Sequence, residues 1–509
     1  MVGWGVLQDP RYPNIPGTVN LGENTAGADG SSKEGNWDYV EPKKRGEIVL
    51  NPQPSESPND PLNWTTATKM AILLILALTA GVTVSLGPMI TTGSEDIATA
   101  FDVSTDQVSF NIVGIMQLTT GSGTFFTAAA AAVWGKRPVF IISTIGLLAT
   151  NIWGFFSNSF MSLSIMRAVQ GFCASPSRHS SALRFPRFSL CMKRSTHRKF
   201  HYPILRIQIY FWNLRLHIRP DHPRHVFLRT RNSLHSSNRS PTQLIVDKTE
   251  GRVYEIVLPD MKKSFTERLS IFNGRISQAS FWALAVKPIP LVTFPAVIFS
   301  AFTYSFYAAG LTLIALLQDT VFSAPPYNLS TSAIGLTNLP LFGVGLVGTL
   351  VSGYCADFVV QWMTRHNNGV YEPEFRLVLM FVAASLSTVA YIGFGYSVAA
   401  GASIYVPIAF LGVQTFAVPF ATSSMFTYVM DCHNRLAPQA FVTMNFIKAV
   451  LSLVMSDFVN GWFEASGAKS VFTTVAIANL AVSAFAIPMY IFGKRLRSKV
   501  ARSAFHQKF

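Results

Sequence analysis

Long runs of apolar residues without a charge recur along this chain and predict membrane-spanning α-helices. A bilayer core about 30 Å thick requires about 20 such residues per helix. A helix also satisfies its own backbone polar groups within lipid. Ten runs approach or exceed that length, at residues 70–91, 108–132, 138–156, 160–175, 288–317, 332–353, 377–394, 404–428, 437–459 and 471–492. The pattern therefore predicts an all-α polytopic membrane protein.

The loops between these runs alternate in charge, which predicts their orientation. The loop at 91–107 carries acidic residues and no base, whereas the next loop reads WGKRP at 134–138. Bases occur again at 361–368, at 431–436 and in the tail 496–509. Because Lys and Arg are retained on the cytoplasmic side, both termini are predicted to be cytoplasmic, and the plasma membrane is the expected location.

Composition supports a membrane protein and excludes several other classes. Of the 509 residues, 49% are hydrophobic and only 13% are charged, which is too apolar for an ordinary soluble enzyme. The four cysteines form no CxxC pair, so neither a disulfide framework nor a zinc site is indicated. No cofactor, no metal and no nucleic-acid partner is expected.

The net charge of +15 is concentrated in one segment, residues 177–241. This segment holds 14 Lys and Arg against a single acid, and no glycine occurs between Gly171 and Gly251. A central Arg or Lys costs about 2.5–3.5 kcal/mol in a spanning helix, so the segment cannot cross the membrane. Two explanations remain open: an out-of-frame translation of DNA that encodes two spans, or a genuine basic loop on anionic lipid.

The runs on either side of this segment resemble each other, which indicates an internal repeat. The second run contains TTGSGTFFTAAAAA and leads through VWGKRPVF into the third. The sixth run contains LFGVGLVGTLVSGYCAD and leads through a polar loop into FRLVLMF. Small residues at such spacing allow helix backbones to approach closely, so packing alone could also explain most of these glycines.

Several short motifs, in their order and spacing, resemble the major facilitator superfamily (MFS), in particular a fungal branch similar to drug:proton antiporters. The motif Arg-x-x-Gln-Gly of the fourth helix is present as Arg167, Gln170 and Gly171. DPLNW at 60–64 and YVMDCHNRLAPQAFVTMNFIKA at 428–449 also resemble this branch.

The loop motif between helices two and three of the family is present only in part. The first copy of this loop motif keeps its basic end but has Ala128 and Ala132 in place of the glycine and the acid. The second copy keeps the glycine and the acid, and Arg376 is a possible substitute for its basic end. The resemblance implies a gating role for these residues, which are Gly135, Lys136, Arg137, Gly353, Asp357 and Arg376.

The family has twelve spans in two pseudo-symmetric bundles of six, so helices five and six are absent here and the basic segment stands in their place. The predicted organisation is as follows: a disordered cytoplasmic tail, 1–69; an N-terminal bundle, 70–176; the anomalous segment, 177–241; a cytoplasmic linker, 242–287; a C-terminal bundle, 288–495; and a tail, 496–509.

Charged residues within spans are functional candidates by default. Arg167 lies in the fourth run, whose counterpart lines the central cavity of the family; the alternative is a structural Arg bonded to backbone carbonyls. Lys448 lies one turn after Asn445 on the same face of its run, with packing as the alternative role. Asp457, near the predicted outer end, is explained equally well as an interfacial residue.

Uncharged polar side chains in the spans are further candidates for a cavity that orients a ligand. They are Gln117, Tyr304, Tyr307 and Gln414. Such side chains more often form an interhelical contact than bind a ligand.

The resulting expectation is a monomeric secondary transporter that moves a small organic solute by alternating access between its halves. Proton-coupled efflux is implied by the resemblance alone. The sequence contains no GxxxxGK[ST], HExxH or GxSxG motif, so neither direct use of ATP nor enzymatic activity is expected. The alternatives are a transport-inactive product that lacks two helices, and a facilitator or uptake transporter of the same fold.

Overall fold

The computed structural model of the chain describes its helical regions and a few shorter stretches. The described residues are 88–193, 272, 274–433 and 436–503, scattered positions from 71 to 86, and the stretches 4–7, 15–20, 44–45, 48–49, 242–246 and 253–257. For residues 177–193 the description is limited to the helical backbone. The chain divides into two compact units, one of residues 1–32, 76–184 and 271–509, the other of residues 33–75 and 185–270.

From residue 88 onward, the helices before the basic segment follow a 3-10 turn, Pro88–Gly93. They are α1 (Ser94–Phe101), α2 (Ile115–Val133), α3 (Lys136–Phe155) and α4 (Phe160–Lys193). A short helix, Thr105–Val108, and a π-helical turn, Ser109–Gly114, lead directly into α2. The Ser104 side chain caps this continuous element by accepting a hydrogen bond from the backbone amide of Gln107 at 3.2 Å.

The helices after the basic segment are longer. They are α5 (Phe281–Val286), α6 (Pro295–Ser323), α7 (Thr331–His366), α8 (Val378–Ala399), α9 (Tyr405–Cys432), α10 (Ala437–Ala484) and α11 (Ala486–Arg502), with 3-10 turns at Ile289–Thr293 and Pro373–Leu377. A large apolar core lies between α6, α8 and α10, and includes Leu313, Phe394 and Phe472.

The strands of the described residues are short and antiparallel. In the first unit, β1 (Val19–Asn20) pairs with β6 (Val370–Tyr371). In the second unit, β2 (Lys44–Arg45) pairs with β3 (Ile48–Val49), and β4 (Thr242–Val246) pairs with β5 (Val253–Val257). The segment predicted as a plain cytoplasmic linker, 242–287, therefore contains a hairpin and the helix α5.

The outward faces of the helices are apolar, as the surface of a lipid-embedded protein must be. On α3, Ile142 is 70% exposed and Leu148 is 63% exposed; on α7, Leu350 is 75% exposed. Water would penalise such continuous apolar surface, whereas lipid does not. Six described helical regions are long and apolar enough to cross a bilayer: 136–155, 295–323, 331–366, 373–399, 405–432 and 437–502.

The predicted spans within the described residues correspond to helices, but several of their ends differ from the prediction. The apolar pattern of the fourth run predicts an end at 175, but α4 continues to Lys193, into the basic segment. Within α10, two helices meet at a kink at Gly467, where φ is +70° and ψ is 165°, so the two last runs, 437–459 and 471–492, lie on either side of this kink. Most of the first run lies outside the described residues, although residues 81–83 are helical.

Two stretches of the predicted disordered tail, 4–7 and 15–20, have a defined place against the C-terminal helices. The Tyr490 hydroxyl donates to the Trp4 carbonyl at 2.9 Å, and the Leu7 amide donates to the Ile491 carbonyl at 3.0 Å. Ile15 is only 4% exposed. The prediction of disorder does not hold for these two stretches, and most of the tail lies outside the described residues.

The helices before the basic segment (α1–α4, the N-terminal set) meet those after it (α5–α11, the C-terminal set) along a seam between α2 and α10. A Cβ atom on Gly121 would overlap the Cβ of Ala449, and one on Gly114 would lie 2.9 Å from the Cδ1 of Leu453. Farther along the seam, the rings of Phe125 and Phe446 meet edge to face at 5.3 Å. The missing side chain at Gly121 is what lets the two backbones approach.

Polar contacts join the two sets at the end that the loop charges predict to be external. The buried Asp319 carboxylate accepts hydrogen bonds from the Ser94 hydroxyl at 3.0 Å and the Glu95 amide at 3.3 Å, at the start of α1. Thr331 donates to Asp96 at 3.0 Å. An anion at a helix N-terminus is favourable because the first amides lack intrahelical partners.

We expect Gly121→Ala to lower the thermal stability of the detergent-purified protein, because its methyl group has no room against Ala449. Overpacking of this kind costs about 1–3 kcal/mol. Gly343→Ala on α7 is the matched control, since a Cβ there meets nothing within 4 Å, and the higher helix propensity of Ala should leave the melting temperature unchanged or raised. Equal melting temperatures for the two variants would contradict the close approach at the seam.

Candidate functional site

Arg167 ties three elements of the N-terminal set together. It lies on α4, is 3% exposed, and donates to the carbonyls of Ile112 at 3.2 Å and Leu86 at 3.1 Å. It also donates to the Gln170 Oε1 at 2.6 Å, and the Gln170 amide donates to Asn151 of α3 at 3.2 Å. This geometry corresponds to the structural alternative considered for Arg167, and Gln170 extends the same network.

Gly171, the third residue of that motif, marks the closest approach of α4 to α2. A Cβ at this position would overlap the Thr119 hydroxyl and the Met116 carbonyl. The motif Arg-x-x-Gln-Gly therefore acts as a packing unit: two polar residues bind neighbouring helices while the glycine removes the side chain between them.

Tyr307 and Gln414 are buried inside the C-terminal set. Tyr307 is 0% exposed and its hydroxyl lies 3.1 Å from the Ser483 hydroxyl, while the Gln414 amide donates to the Tyr391 hydroxyl at 2.9 Å. These bonds join α6 to α10 and α9 to α8. The structure thus places both residues in interhelical contacts, the alternative that the sequence leaves open.

Lys448, Asn445 and Tyr304 do lie together. The Lys448 ammonium lies 5.9 Å from the centre of the Tyr304 ring on α6. The Tyr304 ring meets Phe426 of α9 at 4.8 Å, and Phe426 in turn meets Phe441 at 5.0 Å. Asn445 lies on the same face of α10 and donates to the Phe441 carbonyl at 2.9 Å.

This group, which we name the Lys448 cluster (Tyr304, Phe426, Phe441, Asn445 and Lys448), adjoins the seam between the two sets. Lys448 directly precedes Ala449, the residue that meets Gly121.

Gln117 lies on the seam itself. It falls between Gly114 and Gly121, which both face α10, and a spacing of three or four residues keeps side chains on one helix face. Lys448, Tyr304, Phe426, Asn445 and Gln117 are each half-buried.

The predicted gating residues do not all lie in loops between helices. Gly135 has φ of +94° and begins α3, while Lys136 and Arg137 are exposed. Gly353 and Asp357 lie within α7, and a Cβ on Gly353 would meet nothing within 4 Å.

Arg376, expected as the basic partner of this second loop motif, forms a short ion pair with Asp431 at the end of α9. Asp431 also accepts from the Tyr371 hydroxyl. Burial is the main reason that the pKa of Tyr371 is raised well above its usual value, so this tyrosine stays protonated and donates.

A second buried ion network lies at the same end, and none of its residues is among the candidates predicted from the sequence. Arg497 of α11 is 3% exposed and donates to Glu374 at 2.7 Å and to Glu372 at 3.2 Å, and Lys494 pairs with Glu372. The alternating charges of EPEFR and GKRLR, at the ends of two apolar runs, were the available indication. The charges in these two stretches do not indicate which acid pairs with which base.

The docked N-terminal stretch completes this network. The Thr18 hydroxyl donates to Glu372 at 2.7 Å, and Arg497 donates to the Pro16 carbonyl. Gly17 has φ of +91°, and a Cβ there would lie 2.6 Å from the Asp431 carbonyl oxygen. Only glycine adopts this backbone conformation without strain while leaving that space.

Comparisons with known proteins give full-length relatives of low identity. No family model matches the chain. The chain is 23% identical to Protein HOL1 of Saccharomyces cerevisiae over 96% of each chain. It is 22% identical to an uncharacterized MFS-type transporter of Schizosaccharomyces pombe over 90% of each, and 21% identical to the MFS-type transporter penM of Penicillium rubens over 94% of this chain and 98% of that one.

Among solved structures, the chain is similar to a bacterial homologue of the human lysosomal transporter Spinster in an inward-facing, unoccupied conformation. The TM-score is 0.49 with 12% identity, over 86% of this chain and 99% of the other. The apolar helices, together with the full-length similarity to relatives named as MFS-type transporters, support an all-α polytopic membrane fold of the MFS type.

We expect Asp431→Asn to destabilise the cytoplasmic end of the C-terminal set. The change leaves the Arg376 guanidinium, whose side chain is 15% exposed, without its charge partner, and breaking a buried pair costs about 3–5 kcal/mol. The melting temperature in detergent should fall by several degrees. Asp102→Asn is the matched control, because Asp102 is exposed in the left-handed region that Asn also tolerates; a comparable fall there would contradict the assignment.

Proposed function

We propose that the chain is a secondary transporter that moves a small organic solute across the membrane by alternating access between its two helix sets. The observation that carries this proposal is the half-buried Lys448 cluster at mid-depth, directly beside the seam where the two sets meet. Substrate sites of transporters with repeated halves lie near the midplane at the repeat interface. The similarity to relatives named as transporters supports the same function.

The contacts between the two sets fit a state with access from the predicted inside. Asp319, Ser94, Asp96 and Thr331 join the sets at the predicted outer end. The packing of α2 on α10 continues from there through Gly121 to Phe125. Rocking of one rigid set against the other would have to break these polar contacts to open the outer side.

Proton-driven efflux at the plasma membrane is the proposed mode, and its support is the motif resemblance to the antiporter-like branch. A facilitator or uptake transporter of the same fold is the alternative. We further propose that both termini are cytoplasmic and that the protein works as a monomer surrounded by lipid.

The origin of the basic segment 177–241 decides both the number of spans and whether the chain can transport a solute. We propose that the segment is an out-of-frame translation of helices five and six. The alternative to an active transporter is that the chain in its present form, which then lacks two helices of its N-terminal bundle, is transport-inactive. Sequencing the transcript decides between the explanations: a cDNA that encodes the basic segment in frame would refute the frameshift.

Alternating access predicts that locking the outer end stops transport. The test uses the version with the two helices restored, in a background without native cysteines, with Asp96→Cys and Thr331→Cys, at positions whose polar atoms now lie 3.0 Å apart. We expect the oxidised pair to abolish proteoliposome transport of anionic, cationic and neutral aromatic solutes, and reduction to restore it.

The matched control is a disulfide within one set, Ser157→Cys with Ser162→Cys, at positions whose hydroxyls lie 2.9 Å apart. Transport should continue when this pair is oxidised. Full transport while the disulfide between positions 96 and 331 is formed would contradict movement at the outer end. Transport that does not respond to an imposed pH gradient would favour the facilitator over the proton-coupled mode.

A further inference from the structure

We propose that Arg167 is a positioning residue: it holds the π-helical turn at the predicted outer end of α2, and that turn decides which helix face meets α10. The inference rests on the proposed transport function, because the contact that it controls helps to close the predicted outer side. Its experiment measures helix register in the chain as it stands and needs no transport.

The π-helical turn, Ser109–Gly114, interrupts a helix that otherwise runs from Thr105 to Val133. The Ile115 amide donates to the Phe110 carbonyl, five residues back, whereas an α-helix bonds residues four apart. The turn therefore accommodates one additional residue. Because each residue of an α-helix turns by about 100°, this residue rotates the part of the helix beyond the turn by about that angle.

Arg167 contacts the π-helical turn from the N-terminal set. Its Nε donates to the Ile112 carbonyl at 3.2 Å, and its Nη1 donates to the Leu86 carbonyl at 3.1 Å and to Gln170 at 2.6 Å. A guanidinium holds its donors in one rigid plane, so the last two bonds fix the direction in which Nε is presented to Ile112. A side chain that bonds into the backbone ladder of a helix is a recognised cause of departure from α geometry.

The α10 helix contacts the same turn from the C-terminal set. The Asn460 side-chain amide donates to the Ser109 hydroxyl at 3.0 Å, and both residues are buried. At the other end of the turn, a Cβ on Gly114 would lie 2.9 Å from the Cδ1 of Leu453 and 3.1 Å from the Cβ of Ser456. The first residue of the turn is thus bonded to α10, and the last packs against it.

Conversion of this turn to α geometry would move the outer end of the helix. The inner part of α2 is held by the contact of Gly121 with Ala449. With that part fixed, removing the room for the additional residue brings Phe110 to the place of Ser109 and turns Ser109 away from Asn460.

The bond from Arg167 to the Ile112 carbonyl favours the π form, so it keeps Ser109 against Asn460. Breaking that bond would let the outer end of the helix turn away from α10. The motif residue Arg167 therefore controls a contact between the two sets although it lies on α4 and binds within its own set.

The experiment follows this register by disulfide formation in the full chain, purified in detergent, in a background without native cysteines. Ser109→Cys with Asn460→Cys replaces side chains whose polar atoms lie 3.0 Å apart, and Phe110→Cys with Asn460→Cys reports the alternative register. Cysteines whose Cβ vectors point apart cannot be bridged without backbone movement. We expect the 109–460 disulfide to form when Arg167 is present. In Arg167→Met it should be lost, and the 110–460 disulfide should form instead.

Deletion of Asn111, inside the π-helical turn, separates this role from a general loss of stability. Without the additional residue, an α-helical turn places Ser109 against Asn460. The 109–460 disulfide should therefore form in the deletion variant whether residue 167 is Arg or Met. Its recovery in Arg167→Met by the deletion is a result that a merely stabilising role of Arg167 does not give.

Thr127→Cys with Ser175→Cys is the matched control pair. These hydroxyls lie 3.1 Å apart and join the inner part of α2 to α4, on the side of the π-helical turn that should not move. This disulfide should form in every variant that folds.

Each outcome decides for or against the inference. Retention of the 109–460 disulfide in Arg167→Met, with the control disulfide formed, would overturn the positioning role. Loss of the 109–460 disulfide upon deletion of Asn111, with the control disulfide formed, would overturn the π-helical turn as the source of the register. If Arg167→Met loses the control disulfide too, that variant unfolds, and the deletion variant that keeps Arg167 decides by the same criterion.

The proposed function fails separately. Full transport while the disulfide between positions 96 and 331 is formed would contradict movement at the outer end and leave the register unaffected. A wrong register would in turn leave the transport proposal unchanged.

Discussion

The close approach of α2 and α10 is the constraint on which the arrangement of the helix sets depends. Lipid supplies no hydrophobic force between helices, so packing of small residues and polar contacts must hold them together. Gly121 leaves the space that Ala449 fills. That contact fixes the position of Ala449, and with it the adjacent Lys448, relative to α2.

Buried polar side chains have different partners within the membrane spans and at the predicted cytoplasmic edge. In the spans, Arg167, Tyr307 and Gln414 form hydrogen bonds with backbone carbonyls or neutral side chains. At the edge, Arg376 and Arg497 instead meet carboxylates. The difference follows from desolvation: a buried ion pair is retained only where geometry and additional hydrogen bonds compensate for the loss of water. Here the docked N-terminal stretch supplies some of those bonds, through Thr18 and Pro16.

The hydrophobic pattern predicted the helices well because the bilayer imposes a length on every apolar run. It located the ends less well. The continuation of α4 to Lys193 and the kink at Gly467, where two helices meet, depend on backbone conformation, which hydropathy does not record. The docking of residues 4–7 and 15–20 was not predicted for another reason. A polar stretch rich in Pro and Gly has a composition typical of disorder, and only its contacts with α11 and with residues near Pro373 hold it in a defined position.

The sequence by itself determined that this is a bundle of lipid-embedded helices, that its two halves are related, and that one segment is unfit for hydrocarbon, because composition and run length alone decide what can enter a bilayer. It also identified Lys448, Asn445, Tyr304 and Gln117 as candidates. Only the tertiary structure decided that these four adjoin one seam while Arg167, Tyr307 and Gln414 serve as interhelical contacts. A helix presents a side chain to a cavity, to a neighbour or to lipid according to its rotation about its own axis, and that rotation is set by packing against other helices.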